Sequence, residues 1–303
     1  MARDGFEHDV KDQLAPSSAT IEAPVAIGGV GGSGTRLIAQ LLRELGCFMG
    51  SDLNEACDNL WFTLLFKRTG WLSADSGADF AAALRIFTTV MAGGGPLSGA
   101  QALQVRRLAA EDQLQRPAAW LGERADSLLA ATPRPARAGR WGWKEPNTHV
   151  FLDRLQEHLP DMRYIHVMRN GLDMAFSGNQ NQLMLWGSHF LGTAVTAPSP
   201  RMSLAYWCRV HRRIAQLAER MPGRYLLLNY DAFCARPQAG LAALLEFLGW
   251  DADAALQARL LGMVRAPQSI GRHAAHDAGA FDPADLAYVR AMGFETAAAG
   301  SAS

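Results

Sequence analysis

Residues 27–42 read IGGVGGSGTRLIAQLL, an apolar run that ends in glycines and continues with the helical spacing of Leu37, Ile38, Leu41 and Leu42. A glycine-rich turn from strand to helix leaves backbone N–H groups free at the positive end of the helix dipole, a setting that attracts anions. Three chemistries fit these residues. Gly29, Gly31 and Gly34 match the GxGxxG of dinucleotide folds, with Asp52 or Glu55 placed for a ribose-binding acid. Gly29 to Gly34 also has the glycine spacing of a phosphate loop, but Thr35 and Arg36 replace the lysine and hydroxyl residue that hold terminal phosphate and magnesium, which disfavours an ATPase. In the third reading Gly31, Gly32, Ser33, Gly34, Thr35 and Arg36 form a metal-free anion pocket, with two hydroxyls and a guanidinium added to the amides. The plain alternative is a tight turn whose glycines serve close packing.

A second anion site is written in RYIHVMRNGLDMAFSGNQ. Arg169 stands just past an apolar strand pattern, at the carboxyl edge where open α/β sheets bind ligands, and Ser177 follows. Asn170 suits a helix N-cap and Asp173 the third helical position, roles that need no ligand. A guanidinium at a sheet mouth beside a helix start favours phosphate. Two such sites describe one nucleotide with an anionic group at each end.

SGTR after one strand and RNxxDxxxS after another resemble the sulfotransferases that use 3′-phosphoadenosine 5′-phosphosulfate (PAPS). The resemblance implies that Gly31 to Arg36 hold the 5′-phosphosulfate, and Arg169 and Ser177 the 3′-phosphate. NYDAFCARPQAGLAALLEFLGW is similar to a further stretch of the family and puts Tyr230 near the nucleoside. PQSIGRHAAHDAGAFDPADLAYVRAMGF resembles its C-terminal loop and makes Gly271 and Arg272 the residues that close over the 3′-phosphate. The likeness spans 24–292 and is poor across 56–138.

The resemblance breaks at Gly32, where family members carry Lys or Arg. Charge growing on a leaving oxygen needs a cation, and two candidates remain: Arg36 in the loop, and Lys144 in WGWKEPNTH, which resembles a KxP segment of carbohydrate sulfotransferases. An acceptor must also lose a proton. In GSDLNEACDNLWF the first choice for that base is Glu55, then Asp58, with His149 and His189 behind them. The implied activity is sulfuryl transfer to a hydroxyl or amine of a small-molecule or carbohydrate acceptor. The alternatives are a catalytically impaired nucleotide-binding protein of the same fold, a nucleotide kinase, or an NAD-dependent enzyme. Trp61, Trp186 and Phe190 are candidate acceptor-pocket residues, and 179–190, NQNQLMLWGSHF, reads as a mobile lid or plain surface loop.

The elements that must position these residues are strands at PVAIGGV, GRWGWKEP, RYIHVM and MPGRYLLLNY, alternating with helical patterns. That order predicts a three-layer, P-loop-like α/β fold with a central parallel sheet. The Ala- and Leu-rich region 56–138 reads as a helical insertion within a single domain over 22–292, with a disordered lead-in at 1–21 and a flexible tail at 293–303. Lys plus Arg equals Asp plus Glu at 29 each, so no global field points to nucleic acid or a membrane surface. No apolar run is long enough for a membrane span. The four scattered cysteines suit a reducing cytoplasm, and neither Cys nor His has metal-ligand spacing.

Overall fold

The structure, a computed structural model, describes residues 22–111, 113, 115–131 and 139–296. The expected lead-in at 1–21 and most of the expected tail lie outside the described residues.

Strand β1 (Val25–Gly29) is buried along its whole length and leads through the glycine loop into helix α1 (Thr35–Glu44). Four helices follow: α2 (Leu60–Phe66), α3 (Gly77–Met91), α4 (Gly99–Ala110) and α5 (Ala118–Leu129). Then come β2 (Gly142–Lys144), a 3-10 turn (Pro146–Phe151), α6 (Leu152–His158) and β3 (Arg163–Met168). The chain continues through α7 (Gly171–Ala175), α8 (Asn181–Leu191), α9 (Pro200–Ala218) and β4 (Tyr225–Asn229) to α10 (Tyr230–Ala235), α11 (Pro237–Leu248), α12 (Ala254–Met263) and α13 (Pro283–Ala291).

The four strands form one parallel sheet in the order β2-β1-β3-β4. A parallel sheet is stable when both faces are covered, and strand residues alternate between the faces. Val25, Ile27, Ile165 and Val167 enter one core with Ile38, Leu41 and Leu42 of α1 and Leu244 of α11. Ala26, Tyr164 and Met168 enter the opposite core, with α6, α9 and the helical insertion. Sheet between two helical layers is the expected three-layer arrangement. Gly142 lets β2 approach β1, since an added Cβ would lie 2.1 Å from the Val25 carbonyl oxygen.

The insertion is anchored by aromatic contact. Phe62 stacks on Trp143 of β2 at 5.7 Å between ring centroids, and Phe87 meets the same indole edge-on at 5.3 Å. Trp61 and Trp186 are fully buried and Phe190 nearly so, which makes all three core residues, the commoner role for tryptophan in a chain of this size. The stretch expected as a lid or a plain surface loop is mostly α8: Leu183, Trp186, Gly187 and Phe190 form its buried side, so packing turns a polar-looking segment into a helix. Packing also continues past the boundary expected at 292. Phe294 is buried beside Trp207, and the Asn170 side chain donates to the Glu295 carbonyl at 2.9 Å. Among the described residues no helix is long and apolar enough to cross a membrane.

Candidate active site

The glycine loop is shaped by backbone that side chains rarely adopt. Gly32 and Gly34 have φ of 88° and 94°, and Gly34 precedes the first turn of α1. The Tyr230 ring lies against Gly34, where an added Cβ would fall 2.2 Å from a ring carbon, so this position accepts only glycine. Inside the turn the Ser33 amide donates to the Val30 carbonyl at 3.1 Å. Its hydroxyl is buried with no partner among the described residues.

Arg169 follows β3 and turns toward this loop. One terminal guanidinium nitrogen donates to the Gly32 carbonyl at 3.2 Å, the other to the Ser269 hydroxyl at 3.2 Å, and Nε to Asp231 at 3.3 Å. Three partners on three elements fix a side chain that is only 7% exposed. The two sequence motifs therefore meet on one pocket of about 480 Å³. Gly31, Gly32, Gly34, Thr35, Arg36, Lys144, Arg169 and Tyr230 all line it. Its cations are Arg36, Lys144, Arg169 and Arg265, and Asp58 is the carboxylate among its lining residues.

Lys144 ends β2 in register with Ile27 of β1, which places it at the ligand edge of the sheet. Its ammonium is buried, pairs with Asp58 and donates to the Ala56 carbonyl at 3.0 Å. Glu55, the first choice for the base, is exposed and is not among the residues that line the pocket, whereas Asp58 is. The cause is the turn itself: the Asn54 amide group donates to Asp58 at 2.8 Å and accepts from the Asp58 N–H at 2.8 Å, which folds Asp58 inward and leaves Glu55 outside. Beside Lys144, Glu145 is buried and accepts two hydrogen bonds from Asn147. Burial raises its pKa, against the opposing field of Lys67.

The C-terminal segment reaches α7 through Gly271, Arg272 and His273. Asn170 caps α7 as expected, its side chain accepting from the Leu172 N–H at 2.9 Å. Asp173 instead receives the Gly271 and His273 N–H groups at 2.8 and 2.9 Å and contacts the His273 ring at 2.7 Å. Arg272 donates to the Phe176 carbonyl at 3.2 Å, and the Ser177 hydroxyl accepts from the Asn179 N–H at 3.2 Å. Ser177, Gly271 and Arg272 thus gather around α7 but do not line the pocket, whereas Asn179, Arg265 and Pro267 do. Arg265 stands two residues before the C-terminal stretch that singles out Gly271 and Arg272, and nothing in its type or spacing marks it. Of the outlying base candidates, His149 is buried and bonded to Gln182, and His189 is exposed.

Residues 24–254, more than half of the chain, match the Sulfotransferase family, and the chain belongs to it. Among solved structures it is similar to the sulfotransferase domain of the Synechococcus PCC 7002 olefin synthase, at 15% identity and a TM-score of 0.52, covering 94% of this chain and 99% of that one. That is a likeness of fold. Sulfotransferase STF9 from Mycobacterium avium is 18% identical with a TM-score of 0.44, covering 84% and 70% of the two chains. No curated protein sequence matches significantly.

Proposed function

We propose that the chain moves the sulfuryl group of PAPS to a hydroxyl or amine of a small-molecule or carbohydrate acceptor. The observation that carries this reading is the Arg169 contact with the Gly32 carbonyl, which brings a fixed guanidinium and the free amides of the glycine loop into one pocket. The residues fit a polyanionic nucleotide. Four cations line the pocket against a single lining carboxylate. The glycine loop, Thr35 and Arg36 would hold the 5′ end, Arg169 and Arg265 the 3′ end, and Tyr230 the nucleoside. PAPS, when bound, supplies the activated sulfuryl group.

The acceptor oxygen or nitrogen forms its bond to sulfur as the bond from sulfur to the bridging phosphate oxygen breaks, and that oxygen keeps the electron pair. Lys144 and Arg36 oppose the charge gathering there, in place of the side chain that Gly32 lacks. Asp58 takes the acceptor proton, because it lines the pocket and Glu55 does not. Free thiols suit a cytoplasmic setting.

Thermal shift tests the donor. Adenosine 3′,5′-bisphosphate at about a hundredfold above its Kd should stabilise the fold by about 2.7 kcal/mol, while ATP with magnesium, or NAD, should do little. No shift with the bisphosphate at millimolar concentration overturns the reading. The bare Gly32 favours one second reading, an impaired nucleotide binder. Binding of the bisphosphate without transfer of radiolabelled sulfate to any acceptor in a broad screen would select it.

A further inference from the structure

Resting on that reading of the pocket, we propose that Gln182, oriented by His149, is a positioning residue for the glycine loop. Gln182 projects from the first turn of α8, only 7% exposed, and its side-chain amide donates to the Gly29 carbonyl at 3.1 Å. Gly29 is the last residue of β1 and its peptide is the first of the loop. The peptide unit is planar and trans, so holding that carbonyl also sets the direction of the Val30 N–H on the other side of the same plane. The Gln182 side chain passes beside Gly31 as well, with its Cγ 3.8 Å from where a Cβ on that glycine would lie.

The direction of the amide follows from its partners. A carbonyl only accepts, so Gln182 presents its NH₂ to Gly29 and its oxygen to His149 Nε2, 3.2 Å away. His149 must therefore carry its ring proton on Nε2. Burial lowers the pKa of this ring to about 3, and the nearby charge of Arg213, which donates to the His149 carbonyl, acts in the same direction. The ring therefore stays neutral, packed against His166, with one proton to give. One turn further along α8, the Trp186 N–H donates to Asn147 at 2.8 Å. Two attachments one turn apart fasten α8 to the 3-10 turn that carries His149, and Gln182 transmits that fixed placement to the loop.

Hydrogen exchange at the amides of Val30 to Gly34 reads loop order directly, and titration with adenosine 3′,5′-bisphosphate reads its use. Gln182→Met keeps the length and removes the donor. It should speed loop exchange and raise the bisphosphate Kd about tenfold, the equivalent of one net hydrogen bond. His149→Phe should act in the same direction, and His149→Gln, which can still donate, should restore much of both. A folded Gln182→Met with unchanged loop exchange and Kd overturns the proposal. A lower Tm with both readouts unchanged assigns Gln182 to packing and overturns it equally. Should Gln182→Met fail to fold, the His149 pair makes the same comparison. If the wild type does not bind the bisphosphate, the sulfuryl-transfer reading falls, and loop exchange alone decides the positioning.

Discussion

At the scale of single residues, the proposed chemistry turns on the ion pair between Lys144 and Asp58. Lys144 is 2% exposed, and leaving such a charge unpaired would be costly, so Asp58 both balances it and aims it. Lys144→Ala should lower turnover about a hundredfold or more if the ammonium faces the leaving oxygen, as steady-state kinetics at saturating donor will show. Asp58→Asn should abolish the acidic limb of the pH profile of kcat/KM, while Glu55→Gln should leave that profile unchanged. Lys144 was legible in WGWKEP because it ends a strand pattern. The choice between Glu55 and Asp58 was not. It depends on the two Asn54–Asp58 hydrogen bonds and on Cys57 at a φ of 61°, a backbone state that residue spacing does not report.

At the scale of elements, Asp173 fastens the C-terminal segment to α7 through the Gly271 and His273 amides, and Ser269 of that segment touches Arg169. Asp173→Asn weakens charge-assisted bonds that are typically worth about 1.5–3 kcal/mol each. It should accelerate hydrogen exchange at Ser269 to His273 and raise the bisphosphate Kd about tenfold, with little change in exchange across β1. The strands were legible because apolar runs bounded by glycine and proline alternate with helical periods. RYIHVM coincides with β3, residue for residue. Helix α8 was hidden by its Asn- and Gln-rich start, and its helical state rests on burial of Trp186 and on Val195 packing beside Gly187. Arg265 was not legible, because the family likeness falls on Gly271 and Arg272, while the fold of the segment decides which basic residue reaches the pocket.

At the scale of the whole molecule, equal numbers of positive and negative residues conceal a locally cationic pocket, and the core conceals acid sensitivity. His149, His166 and His211 are buried, and burial lowers all three pKa values, to about 3 for His149 and about 4 for His211. The unfolded chain protonates these rings near 6.5, whereas the folded chain resists until far lower pH. Stability is therefore unaffected above that value and falls below it, by about 1.4 kcal/mol per pH unit for each ring until its folded value is reached. Urea unfolding at pH 7 and pH 5 should show this loss, and His211→Gln should reduce it by about 2 kcal/mol. Parallel pairing also joins distant stretches: β1 lies against β2 and β3, and the pocket it opens onto draws lining from Gly31 to Pro267. During synthesis the glycine turn leaves the ribosome long before Arg265 and Pro267 exist to complete its surroundings. The pocket proposed for the nucleotide is therefore complete only after the chain has been made as far as Pro267.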